Sequence, residues 1–470
     1  GEKAILVRLQ TSPDDICGLK AAEGVLTMYG GMTSHAAVVA RGMGKCAITG
    51  AGGSGMIIHE DKGMITSMEI GGTNDRVLLR KGDVVTLDGS TGNVYQGEVP
   101  TIQAGEDADY RKVLSWADKY KRMKVFVNAE TPDDVEKAVK FGAEGLGLCR
   151  TEHMFFQHDR IKLMRGMILS QTKEEREEYL SKMEVFMRED LKKVFSMMAG
   201  KEVVIRLLDP PLHEFLPSKE EDIFALADSL SMDRNACLER VQSLHEANPM
   251  LGFRGCRISI IYPEITAMQT RAIISAAIEV QQNEKINVKP EIMIPLVCTD
   301  HEIEFITPTI RAAAKEVCEK YNTDIDYKVG TMLEVPRALA RAKAIAKEGD
   351  VEFVSFGSND LTQLMFGFSR DDAERFLPTY LNRHILTFDP FITIDERGLG
   401  PLMRAAVKDC QRTDSRITLG VCGEHGGDPD SIHFFDKIGL NYVSCSPYRV
   451  HTAKIAAAQA HIKEITRLGM

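Results

Sequence analysis

With 470 residues, a 44% hydrophobic share and a formal net charge of −10, the chain has room for two or three globular domains. The acidic balance argues against nucleic acid or an anionic membrane as a main partner, and no apolar run is long enough to span a bilayer. The ten cysteines are scattered, with no Cys-x-x-Cys pair and no zinc spacing, and read as reduced thiols of a cytoplasmic-type compartment.

The chain starts at Gly1 and passes at once into a strand-like run over 4–9, so it reads as a piece of something longer. Neither end carries a targeting pattern; an organellar address would need a leader upstream of Gly1. Short apolar runs over 4–9, 24–26, 46–49, 56–58 and 84–88 are separated by glycine-rich turns. They predict a small α/β domain over 1–97. Within it, Thr33-Ser34-His35-Ala36-Ala37-Val38-Val39-Ala40-Arg41 follows two glycines and precedes Gly42. The small-residue run predicts a helix over 34–41, with Thr33 or Ser34 as N-cap and Gly42 closing it. His35 then sits in the first turn, where unpaired N–H groups and the helix dipole favour an anion. An isolated histidine there is ordinarily a cap. The flanking glycines and hydroxyl pair make this one a candidate phosphoryl acceptor.

Residues 98–122 are polar, then helical around 110–120, and read as a linker. From 123 to 470, strand-like runs over 125–128, 145–149, 203–208, 292–297, 329–333, 353–357, 418–422 and 442–446 alternate with helical stretches. Eight such units predict a closed (β/α)8 barrel, with 161–198 and 212–246 as insertions. An open doubly wound sheet is the competing fold, but no Gly-x-Gly-x-x-Gly follows any of the runs.

In a barrel the chemistry sits at the C-terminal strand ends, and those ends are polar here. Arg150, Arg206 and Arg254 suit the oxygens of a small phosphorylated or carboxylated anion. Glu334 and Asp360 are hard oxygen ligands suited to Mg²⁺. Ser358 and Asn359 stand beside Asp360, and Asn359 can donate to a phosphoryl oxygen. Cys422, followed by Gly423, is expected to be exposed enough to exchange a proton.

The segment around His35 resembles the phosphohistidine segment of the phosphoenolpyruvate-utilising enzymes, most closely in the wording of their dikinase branch. The segments 147–156, 208–215, 330–338, 359–363, 422–427 and 444–450 carry further family wording, so the resemblance covers essentially the whole chain. Small departures are Phe253, Ser358 in place of the usual threonine, and His451 in place of a common proline. The resemblance implies a swivelling phosphohistidine domain followed by a phosphoenolpyruvate/pyruvate-binding barrel. It also implies a paired-acceptor phosphotransferase converting ATP, phosphate and pyruvate to AMP, pyrophosphate and phosphoenolpyruvate. His35 and Cys422 take the catalytic roles. Arg150, Arg206, Arg254, Glu334, Ser358, Asn359 and Asp360 hold substrate, and Glu334 and Asp360 hold Mg²⁺. His35 travels to the barrel mouth on the 98–122 linker, and the barrels pair as a homodimer. The family's ATP-grasp region has no counterpart here, so the chain is expected to be a C-terminal portion. Thr33 matches the threonine phosphorylated for regulation in plant members. Phosphoenolpyruvate synthase, a phosphotransferase-system enzyme I-like carrier and a non-catalytic interaction fragment are the alternatives.

Overall fold

A computed structural model describes residues 3–11, 15–30, 37, 40, 45–67, 76–100, 108–156, 158–370 and 372–468. The chain divides into two compact units, 1–111 with 368–387, and 112–367 with 388–470.

In the first unit, β1 (Ile5–Arg8), β2 (Gly24–Thr27) and β3 (Cys46–Ile48) form a parallel sheet in that order. Strands β4 (Met56–His59), β5 (Met64–Ser67) and β6 (Arg76–Arg80) are antiparallel, and β7 (Val85–Asp88) pairs with β8 (Asn93–Gln96). Leu26, Ile48, Ile58 and Ile65 form its core. The expected α/β class holds, but β5, β6 and β8 are absent from the sequence reading. They mix apolar residues with Thr, Ser, Arg, Asn and Gln, and β8 is mostly exposed, so none of the three stands out by hydrophobicity. The Asp88 carboxylate closes the hairpin by accepting from Ser90 N (2.9 Å) and Thr91 Oγ1 (2.7 Å), a local Asx turn. The predicted helix over 34–41, with His35 and Thr33, lies outside the described residues.

The helix Ala108–Tyr120 begins in the first unit and runs into the second, which then builds the barrel. Its strands are β9 (Lys124–Asn128), β10 (Leu146–Arg150), β11 (Glu202–Arg206), β12 (Lys289–Ile294), β13 (Lys328–Leu333), β14 (Phe353–Phe356), β15 (Thr418–Val421) and β16 (Tyr442–Cys445). All pair in parallel in chain order, and β16 closes onto β9. Helices cover the outer face and side chains fill the lumen. Both faces of each strand are therefore dry, which is why the strands read as continuous apolar runs. Leu148, Val204, Met293, Met332, Phe353 and Cys422 pack together inside. Burying each large side chain contributes about 1.5–3 kcal/mol.

The runs predicted over 203–208 and 292–297 outlast the strands, because Leu207, Leu208, Leu296 and Val297 are buried loop residues above the barrel. The first insertion is a helical hairpin, His158–Leu169 and Lys173–Met197, broken where Thr172 and Glu175 form a capping box. The second holds helices Glu220–Leu230 and Arg234–Leu244. All nine cysteines with described side chains are free. Among the described residues no helix is long and apolar enough to cross a membrane.

Candidate active site

The strand ends deliver the predicted side chains to one end of the barrel. Arg150 and Arg206 are the last residues of β10 and β11. Glu334 directly follows β13, and Cys422 directly follows β15. Ser358, Asn359 and Asp360 form the first turn of helix Ser358–Phe366, two residues after β14. Arg254 sits in the loop ahead of helix Cys256–Ile261, and Gly255 fixes its course. That glycine has φ 59, and a Cβ there would lie 2.6 Å from Leu296 Cβ.

Asp209 ties two of the arginines together. Its carboxylate pairs with Arg206 Nη1 at 3.0 Å and accepts from Arg254 Nε at 3.3 Å and from Arg254 Nη2. Burial opposes its charge, but the Arg206 and Arg254 guanidiniums hold it below the usual carboxylate range. Arg254 Nη2 also lies 3.4 Å from Asp360 Oδ2. Arg206 pairs with Glu152, yet its buried Nε has no partner among the described residues, and neither does Glu152 Oε2. An unmatched guanidinium N–H at the strand ends is a donor waiting for an anion. Arg150 donates through Nη1 to Glu130, whose other oxygen lies 3.0 Å from His153 Nε2.

Glu334 is the under-compensated carboxylate. It is 2% exposed, and Oε1 accepts from Leu296 N at 2.7 Å. Leu296 adopts φ 60 to aim that N–H, a left-handed conformation uncommon for leucine. Burial, then the charges of Asp360 and Asp209, push Glu334 up to about 8 despite Arg206 and Arg254. Among the described residues no group of three or more acidic, His or Cys side chains could hold a metal alone. Two carboxylates whose mutual repulsion Arg206 and Arg254 offset only in part fit a hard divalent cation that completes its shell with substrate and water oxygens.

The structure corrects the expectation that Cys422 is exposed. It is 4% exposed, and its Sγ lies 3.8 Å from the Phe356 carbonyl. The residue belongs to the lumen cluster, because strand alternation turns it inward. Burial pushes the thiol from 9.0 up to about 11; nearby Ser355, Arg150 and Arg206 offset this only in part, and Glu334 adds to it. Its carbonyl accepts from Asn128 Nδ2 at 2.9 Å, which anchors the backbone. Ser358 is fully buried and faces His425. His425 Nε2 donates to the Pro390 carbonyl (2.8 Å), so Nδ1 accepts from Ser358 Oγ (2.8 Å). Asn359 Oδ1 accepts from Glu424 N at 2.9 Å, leaving its amide N–H₂ to point elsewhere.

Sequence reasoning missed Asp209, Glu152 and Glu130 as arginine partners, and Ser355 and Tyr442 in the lumen. The Asp209 spacing, three residues beyond Arg206, was visible. Ser355 shares the face of lumen-lining Phe353, two residues earlier, so strand parity could have found it. The partner of Arg150, twenty residues away, left no local signal.

Residues 104–462 match the family description "PEP-utilising enzyme, PEP-binding domain", and residues 1–92 match "PEP-utilising enzyme, mobile domain". The chain belongs to the PEP-utilising enzymes. It is 50% identical over 460 residues to a pyruvate, phosphate dikinase of Clostridium symbiosum, covering 98% of this chain and 51% of that protein. Identity is 52% over 462 residues to that of Rhizobium meliloti (98% and 50% covered) and 50% over 466 residues to that of Giardia intestinalis (99% and 51% covered). The chain thus spans about half the length of the curated relatives it matches.

Proposed function

We propose that this chain carries the half-reaction that moves a phosphoryl group between His35 and pyruvate. The larger enzyme would interconvert ATP, phosphate and pyruvate with AMP, pyrophosphate and phosphoenolpyruvate. The observation that carries this reading is the setting of Cys422: a buried, protonated thiol in the electrostatic reach of Glu334, Arg150 and Arg206. A carbon acid, an anion clamp and a carboxylate pair in one place suit enolate chemistry. The relatives' names agree with it.

In this reading Arg150, Arg206 and Arg254 bind the phosphate and carboxylate of phosphoenolpyruvate, assisted by the Asn359 amide. Ser358 acts on the substrate indirectly, by holding the helix start against His425. Glu334 and Asp360 would hold Mg²⁺, which supplies positive charge against the substrate's oxygens. Toward pyruvate, the bond between phosphorus and the enol oxygen breaks as a His35 ring nitrogen bonds to phosphorus. The electron pair stays on the oxygen as an enolate, and the three arginines spread the charge. The enolate's terminal carbon then takes the proton from Cys422 Sγ, giving the methyl group of pyruvate. Ser355 and Tyr442, whose buried hydroxyls neighbour the thiol, would steady the thiolate until it is reprotonated. Loading of His35 from ATP belongs to an ATP-grasp region outside residues 1–470, and the barrels pair as a homodimer.

Label exchange tests the reading. The chain should exchange isotope between phosphoenolpyruvate and pyruvate with Mg²⁺, stop on chelation, and show no ATP/AMP exchange. Exchange that survives His35→Asn, or ATP-dependent phosphorylation of His35 by this chain alone, would overturn it.

A further inference from the structure

The loop that carries Arg254 also carries an unusual methionine. Met250 lies in the single turn Pro249–Leu251. Glu246 clamps the loop by accepting twice from Phe253 N, at 3.0 and 2.8 Å, and Arg257 Nη1 donates to the Leu251 carbonyl at 3.2 Å. Arg254 Nη2 is committed to Asp209 and Asp360. Its other terminal nitrogen, Nη1, meets the Met250 thioether at 3.5 Å. A thioether is a weak acceptor, so an incoming substrate oxygen readily displaces it.

Among the described side chains Met250 is also the methionine most open to solvent. It is 40% exposed, and it is the one exposed methionine among the described side chains. The described cysteines do not compete well for an oxidant. Burial pushes all nine thiols above their ordinary value, which suppresses the reactive thiolate.

We propose that Met250 is an oxidation site whose sulfoxide captures Arg254 and thereby weakens substrate binding, a reversible redox control of the barrel site. This rests on the reading that Arg254 binds substrate. A peroxide supplies the oxidant. The sulfur lone pair attacks one peroxide oxygen, the O–O bond breaks, and after proton transfer water leaves; sulfur is oxidised and peroxide reduced. The new S=O oxygen is a strong, polar acceptor in place of a weak one. The clamped loop keeps it against Nη1, so the substrate must displace a real hydrogen bond to a charged donor.

The test uses the whole chain and hydrogen peroxide at about pH 6, where thiolate is scarcer still and thioether reactivity is unaffected. Peptide mass spectrometry locates the sulfoxide. Phosphoenolpyruvate binding and phosphoenolpyruvate–pyruvate exchange are measured before and after. Met250 should convert ahead of the other methionines with described side chains, with KM and Kd for phosphoenolpyruvate rising roughly tenfold, the scale of one charge-assisted hydrogen bond, and kcat changing less. Methionine sulfoxide reductases A and B should restore both constants. Met250→Leu, compared with its own untreated KM, should be insensitive to the same exposure. Full conversion of Met250 with KM unmoved would overturn the proposal, as would parallel loss in Met250→Leu. An untreated chain that neither binds nor exchanges phosphoenolpyruvate would refute the reading of the site itself and the inference with it.

Discussion

Replacing Cys422 by alanine separates phosphoryl transfer from protonation at carbon. The residue is 4% exposed, and the change removes one sulfur atom from the lumen, so stability falls by about 1–2 kcal/mol and the barrel persists. Phosphorylation of His35 by phosphoenolpyruvate needs no thiol, so a single turnover should yield phosphohistidine at the wild-type amplitude. Incorporation of solvent deuterium into the pyruvate methyl group should fall about 10²–10⁴-fold, the range for loss of a general acid–base group. NMR of pyruvate in deuterated buffer reads that rate directly. The pH profile adds a second constraint. The thiol acts as an acid when protonated, and its value is raised from 9.0 to about 11, so its contribution is present through the neutral range and lost as pH rises through about 11. An ordinary cysteine would lose it about two units earlier. Equal deuterium rates in the variant and wild type would assign the proton to another group. An alkaline fall near the ordinary thiol value would mean that burial does not govern this cysteine.

Three other substitutions test the surrounding structure. Asp209→Asn leaves Arg206 and Arg254 facing each other with their shared counter-charge removed, and should lower unfolding stability by about 3–5 kcal/mol in denaturant titration. Gly423→Ala would put a Cβ 2.0 Å from Ser358 Oγ and 3.0 Å from Asn359 N. It should destabilise by about 1–3 kcal/mol and depress kcat more than KM, since it displaces the loop bearing Cys422; unchanged kcat would remove that coupling. Tyr442→Phe deletes a buried hydroxyl that sits beside Ser355 but makes no well-formed hydrogen bond among the described residues, so stability should hold within about 1 kcal/mol. A clear drop in the denaturation midpoint would show that the hydroxyl is bonded.

The sequence by itself determined the barrel, because eight strands dry on both faces must each be written as an apolar run between helices. It also marked Arg150, Arg206, Glu334, Asp360 and Cys422, because charged or reactive residues within or just past the ends of such runs break the pattern locally. It did not mark β5, β6 and β8, whose short, half-wet strands carry no contrast with their turns. The relations among the site residues belong to tertiary structure. Asp209 bridges arginines from two segments, Glu130 reaches Arg150 across a strand boundary, and Ser358 turns to a histidine sixty-seven residues away. Burial decided the chemistry of Cys422 and Glu334. A carboxylate or thiol has the same letter in water and in a packed lumen, and only the surrounding atoms set the free energy of charging it.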